Sequence, residues 1–179
     1  MYPPSAQGQA REVPVQDQLI EYQVIGPDGY GYPIYALKQN HKALYGSLIS
    51  EQDMAKAYDD GNPYVNRDPR FDSDIIHHGY MFKDKWINTA TGADAITAAN
   101  STSTGYFTRK YFDGYYTKGM SGNWNFDAPL IRLATIYLVY AEAVTRSKGA
   151  TCEVYNLMNE LCARSFMAPT PPAAQTNKE

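Results

Sequence analysis

Acids, imidazoles and aromatic rings are the groups in this chain that could do chemistry. Asp68, Asp72 and Asp113 could supply the two carboxyls that a glycosidase sets about 5–9.5 Å apart. Asp68, however, precedes Pro69 in a turn-rich stretch where an Asp side chain serves the local backbone, and the other acids are scattered. His77-His78 invites a metal reading, yet neighbours on a strand face opposite ways and no third ligand has suitable spacing. Asp59, Asp60, Asn62, Asn66 and Asp68 could ring a calcium ion with oxygens. They lack the EF-hand spacing and its terminal Glu, and turn formation explains them equally well. No glycine-rich phosphate loop or nucleophile motif is present. The sequence therefore predicts no catalytic residue, no metal site and no cofactor.

Aromatic platforms remain. Sixteen tyrosines stand against six phenylalanines, and a flat ring with a polar rim suits half-wet surfaces. Trp86, Tyr115, Tyr116 and Trp124 lie in or beside loop-rich stretches, where binding residues concentrate. An indole or phenol face can stack on the C–H face of a sugar while Asn, Asp or Arg bond its hydroxyls. Trp124, between Asn123 and Asn125, fits that chemistry best by composition. The competing account is that these rings pack the irregular region's own core.

The elements that would position such groups follow from local signals. A chain of 179 residues can bury roughly 70% of its unfolded surface. Net charge -3 and a pI near 5.6 give no electrostatic footprint for nucleic acid or anionic lipid. No apolar run approaches the ~20 residues of a membrane helix. Cys152 and Cys162 on one helix would stand about 15 Å apart, too far to bridge.

Gly26-Pro27-Asp28-Gly29 reads as a turn, and Ser50 as the cap of a short helix to Asp59. Asn62 to Phe71, N-P-Y-V-N-R-D-P-R-F, carries two prolines and three Asn/Asp, which predicts consecutive turns, neither helix nor regular strand. Arg67 and Arg70 there are expected to bond turn carbonyls or nearby carboxylates. Phe71 to Phe82 reads as a strand or hairpin arm, Asn88 to Gly105 as a mobile surface loop, and Tyr106 to Phe112 as a strand.

The plainest helical signal starts with Asp127 as cap and Pro129 in the first turn. Leu130, Leu133, Ala134, Tyr137, Leu138, Ala141 and Val144 make its apolar stripe, and Gly149 its C-terminal cap. Thr151 caps a second helix with Val154, Leu157, Met158 and Leu161 on its buried face. So short a link predicts an antiparallel helix hairpin that presents apolar surface outward and expects neighbours. From Ala168 the Pro/Ala tail reads as disordered.

The order N-P-Y-V-N-R-D-P-R-F, then T-G-Y-F-T-R-K-Y-F-D, then P-L-I-R-L-A-T-I-Y-L-V-Y-A-E-A-V resembles the SusD/RagB family of outer-membrane lipoproteins. V-P-V-Q-D-Q-L-I-E-Y-Q-V (Val13 to Val24) and L-M-N-E-L-C-A-R-S-F-M-A-P (Leu157 to Pro169) resemble flanking family segments. In the latter, Cys162 stands where a basic residue is usual and Phe166 where glycine is usual.

The resemblance implies a mainly α fold: a tetratricopeptide-like helix hairpin plus a loop-rich region with short β-strands. It implies a partial family domain over 13–169, and composition reads 170–179 as a disordered tail. Its implied function is non-catalytic capture of a glycan or other nutrient at the outer membrane, with a SusC-like TonB-dependent transporter as partner. Asn62, Pro63, Arg67, Asp68, Pro69, Arg70 and Phe71 then form a structural motif rather than a site. Family members carry a signal peptide and a lipidated cysteine, whereas Met1-Tyr2-Pro3-Pro4 shows neither, so an internal fragment is expected. A helical-hairpin module that binds a protein and no glycan is the alternative.

Overall fold

A computed structural model describes residues 3–6, 12–34, 50–110 and 129–169. The chain forms two compact units, Met1–Leu19 with Arg70–Ala128 and Ile20–Pro69 with Pro129–Glu179. Among the described residues the longest elements are helices and the strands are short. Helix α1 spans Gln16–Ile20, α2 Glu51–Ala57, α3 Pro69–Asp74, α4 Leu133–Lys148 and α5 Cys152–Arg164. Strands are β1 Val24–Ile25, β2 Gly31–Tyr32, β3 Ile75–Ile76, β4 Met81–Phe82, β5 Lys85–Trp86 and β6 Phe107–Thr108.

In the second unit β1 and β2 pair antiparallel, with Val24 opposite Tyr32. The expected turn joins them: Gly29 donates to the Gly26 carbonyl at 2.9 Å and takes φ 84°. Asp28 fixes the far arm, accepting from the Tyr30 amide at 3.1 Å and the Tyr32 hydroxyl at 2.6 Å. Burial first, and then the Asp28 carboxylate, push the Tyr32 phenol well above its usual range. A Cβ at Gly31 would lie 2.3 Å from Gln23 Oε1 and 2.5 Å from Met167 Cε, so a larger residue there needs those two flexible side-chain ends to shift.

The segment Asn62 to Phe71 is more regular than expected. Arg67 forms an antiparallel bridge to Val24, Ile25 donates to the Asn66 carbonyl, and Asp68 donates to Gln23. The stretch thus flanks β1 on the side away from β2. Asn66 turns the chain there at φ 55°, a conformation Asn tolerates better than most residues. From Pro69 the chain is helical, correcting the expectation of turns alone. Proline suits the first helical turn, where its missing N–H would have no partner, and an Asp immediately before it favours a helix start.

Helix α2 starts as predicted. The Ser50 hydroxyl accepts from the Asp53 amide at 3.1 Å and donates to the Asp53 carboxylate at 2.7 Å. That hydroxyl first, and then Lys56, hold the Asp53 carboxyl below its usual range. Ala57, at its end, packs with Val24, Tyr32 and Ile34.

Helices α4 and α5 pack as the expected hairpin, with Gly149 at φ 83° and the Thr151 hydroxyl accepting from the Val154 amide at 3.4 Å. Cys152 and Cys162 both sit on α5, and neither is in a disulfide. Two expectations need correction. The first helix begins at Leu133, four residues after Pro129, and its N-cap Arg132 makes no side-chain cap bond. Leu130 is 97% exposed, so no packing stabilises an earlier turn; Asp127 lies outside the described residues. Of the predicted stripe on α4 only Ala141 is buried, while Leu133 and Leu138 are exposed.

Helix α5 closes in a Schellman motif. Met167 donates to the Cys162 carbonyl at 2.9 Å and Phe166 to Ala163 at 3.1 Å, with Phe166 at φ 58°. Phe166 is 89% exposed, so its ring gains little in return for left-handed backbone that costs about 1 kcal/mol. Phe166→Gly is therefore expected to stabilise the chain by about 1 kcal/mol, read as a higher denaturant midpoint at unchanged slope.

In the first unit β3 pairs with β6 and β4 with β5. Ile76, Phe82, Ile87 and Phe107 make the core cluster. The stretch 88–105 is tied down rather than loose, against expectation. Asn88 accepts from the amides of Ala90 and Thr91, Ser101 bonds the Asp94 carbonyl, and the Thr104 hydroxyl donates to the Pro14 carbonyl at 2.6 Å. Asp94 and Thr102 are buried. Small polar side chains satisfying nearby backbone replace the apolar burial this composition lacks.

Candidate ligand-binding site

Of the four aromatic candidates, Trp86 lies among the described residues; Tyr115, Tyr116 and Trp124 lie outside them. Trp86 ends the β4–β5 hairpin and is 68% exposed. Directly opposite it stands Met81, also exposed. The pleat puts Phe82 and Lys85, the other pair, on the reverse face, where Phe82 joins the core. The next residue, Ile87, is buried and bonds both Gly79 and Tyr80 across the hairpin at 2.9 Å. An indole and a thioether are thereby held side by side toward solvent on a braced ribbon. Such a face can stack on an apolar ring surface.

The loop between the strands is Lys83-Asp84, with φ 49° and 61°. Both residues are left-handed, as in a type I′ turn, without the Asn-Gly chemistry that favours it. The sequence does not disclose Met81 as a partner of Trp86, because M-F-K-D-K-W hides a two-residue hairpin behind an unfavourable turn pair. Replacing Lys83 by Asn and Asp84 by Gly is expected to stabilise the hairpin by about 1–2 kcal/mol. Slower amide exchange at Ile87 would report it.

Asp68 is buried, Asp72 is exposed in α3, and Asp113 lies outside the described residues. His77 stacks on Phe71 with ring centres 5.5 Å apart and meets Tyr80 edge-on. Its Nδ1 donates to the His78 carbonyl at 2.7 Å, and its Nε2 is 3.6 Å from the Asp72 carboxylate. His78 Nδ1 instead accepts from the Thr89 amide at 3.2 Å. Burial, ahead of smaller opposing effects of Arg109 and Asp72, raises the Tyr80 phenol. Among the described residues no group of three His, Cys, Asp or Glu is placed to hold a metal ion. Asp59 accepts from the Gly61 amide and Asn66 donates to the Ala57 carbonyl, so both serve local backbone.

Arg67 donates to the Pro63 carbonyl at 2.9 Å and to the Tyr22 carbonyl at 3.1 Å. Phe71 is fully buried, while Asn62 and Arg70 are exposed.

Among curated proteins none matches the chain. A SusD-like protein of Bacteroides fragilis, solved by crystallography, is similar in fold with a TM-score of 0.52 and 18% identity. The match covers 92% of this chain, which spans 37% of the length of that protein. The SusD family model matches residues 7–179, leaving Pro3–Ala6 outside it. On that match, which takes in both the Asn62–Phe71 motif and the helix hairpin, the chain belongs to the SusD family.

Proposed function

We propose that the chain serves nutrient capture at the bacterial outer membrane, holding a glycan by its apolar ring face against Trp86 and Met81. Family membership supports capture over catalysis, since SusD proteins bind rather than transform their ligands. The observation that carries the site is the exposed indole of Trp86, held opposite Met81 on a hairpin braced by the core. Tyr115, Tyr116 and Trp124 are proposed as further ligand-binding residues on residue type and sequence setting alone. A glycan array with the full chain tests the reading: saturable binding of one glycan class supports it, and a blank array opposes it. No cofactor or metal enters this reading.

A second observation favours a protein partner. Leu130, Ile131, Leu133, Ile136, Leu138 and Val139 are all exposed on or just before α4. Exposed apolar side chains in such number suit docking, here to the SusC-like transporter that the family resemblance implies. Among the described residues no helix is long and apolar enough to cross a membrane, so this face is not read as a span. Pull-down of a protein partner without any transporter or glycan would instead support the alternative, a hairpin acting as a standalone interaction module.

A further inference from the structure

Within the first unit the short 3₁₀ turn Pro4–Ala6, with Pro3 before it, is gripped by side chains remote in sequence, as a peptide ligand would be. The Ser5 amide donates to Asp94 Oδ1 at 2.8 Å, and the Ser5 hydroxyl donates to Asp94 Oδ2. From the other side Lys85 Nζ donates to the Ser5 carbonyl at 2.6 Å. Every polar group of one residue is thus read by two side chains of opposite charge, 80 and 89 residues away in sequence. Pro3 is fully buried, and Ala6 rests on the cluster of Ile76, Phe82, Ile87 and Phe107. The segment's own backbone bond, Ala6 amide to Pro3 carbonyl at 3.0 Å, is internal, so it adds no strand to any sheet.

Asp94 is 3% exposed, with its two carboxylate oxygens both engaged by Ser5. A buried carboxylate that loses such donors destabilises the fold or admits a replacement donor. We propose that the recess between Asp94 and Lys85 is a peptide-binding site, filled in cis by Pro3–Ala6. Its ligand is a neutral, proline-containing peptide with a serine at the position of Ser5. Alanine there would leave one Asp94 oxygen without a donor, and an acidic residue would face like charge. Lys85 and Trp86 are neighbours on β5, so the peptide and the aromatic platform use opposite faces of one hairpin. This proposal stands independently of glycan binding at Trp86.

The test uses the full chain and a fluorescent peptide with the sequence of residues 1–7, followed by anisotropy. Ser5→Pro removes both donors that engage Asp94 and vacates the recess. The variant is expected to bind the peptide saturably and at least tenfold more tightly than the wild type. A peptide with alanine in place of its serine should bind at least tenfold more weakly. Equal binding of both peptides, equal binding by wild type and variant, or no binding by a folded variant would overturn the proposal. Should Ser5→Pro fail to fold, amide exchange on the wild type decides. Ser5 exchanging at least tenfold faster than Ile87 supports a detachable occupant, and equal protection makes it an integral part of the fold.

Discussion

Arg67→Met should lower stability by about 3 kcal/mol, the charge-assisted bonds to two carbonyls being worth roughly 1.5–3 kcal/mol each. The guanidinium joins the Pro63 and Tyr22 carbonyls, which lie 4 and 45 residues from it. Methionine keeps much of the stem volume and supplies no donor, so both acceptors lose their partner. The antiparallel bridge between Arg67 and Val24 is backbone and should persist. For a chain of this length ~3 kcal/mol corresponds to a fall of about 6–12 °C in Tm. Differential scanning calorimetry would read it, and an unchanged Tm would remove Arg67 from the scaffold.

Phe71→Ala is expected to cost more, about 3–5 kcal/mol, by loss of transfer energy plus an unfilled cavity. Phe71 is fully buried in the first turn of α3, and His77 stacks on its ring. Removing the ring also removes the surface that sets the His77 imidazole between Phe71 and Tyr80. Against the 5–15 kcal/mol typical of a folded protein, the loss leaves a marginal chain. Urea denaturation should show a midpoint lowered by well over 1 M, or no folded baseline. Phe71→Leu, which refills much of the space, should recover more than half of the loss.

Features written in adjacent residues were legible in the sequence. Ser50, Gly149 and Thr151 act through side-chain or backbone bonds to positions three or four away, so their types alone disclosed two helix starts and one stop. The family-bearing motif was legible for the same reason, although its last residues are helical rather than turn. The tied-down course of 88–105 was hidden because its partners are remote: Ser5 meets Asp94 across 89 residues and Thr104 meets Pro14 across 90. Lys83-Asp84 concealed the β4–β5 hairpin, because neither residue prefers the left-handed backbone it adopts. Trp86 was legible as a candidate from residue type and setting. Its companion Met81 depends on a register that composition does not encode.

Scaffold and site should separate in one paired measurement, taken by titrating the array-identified glycan into wild type, Trp86→Ala and Arg67→Met by calorimetry, with a melt of each. Trp86→Ala should weaken binding at least tenfold, about 1.4 kcal/mol, while leaving Tm within about 2 °C of wild type. Arg67→Met, below its lowered Tm, should bind with the wild-type Kd. Wild-type affinity in Trp86→Ala, or lost affinity in folded Arg67→Met, would contradict the assignment of binding to the hairpin face and of the Asn62–Phe71 motif to the scaffold.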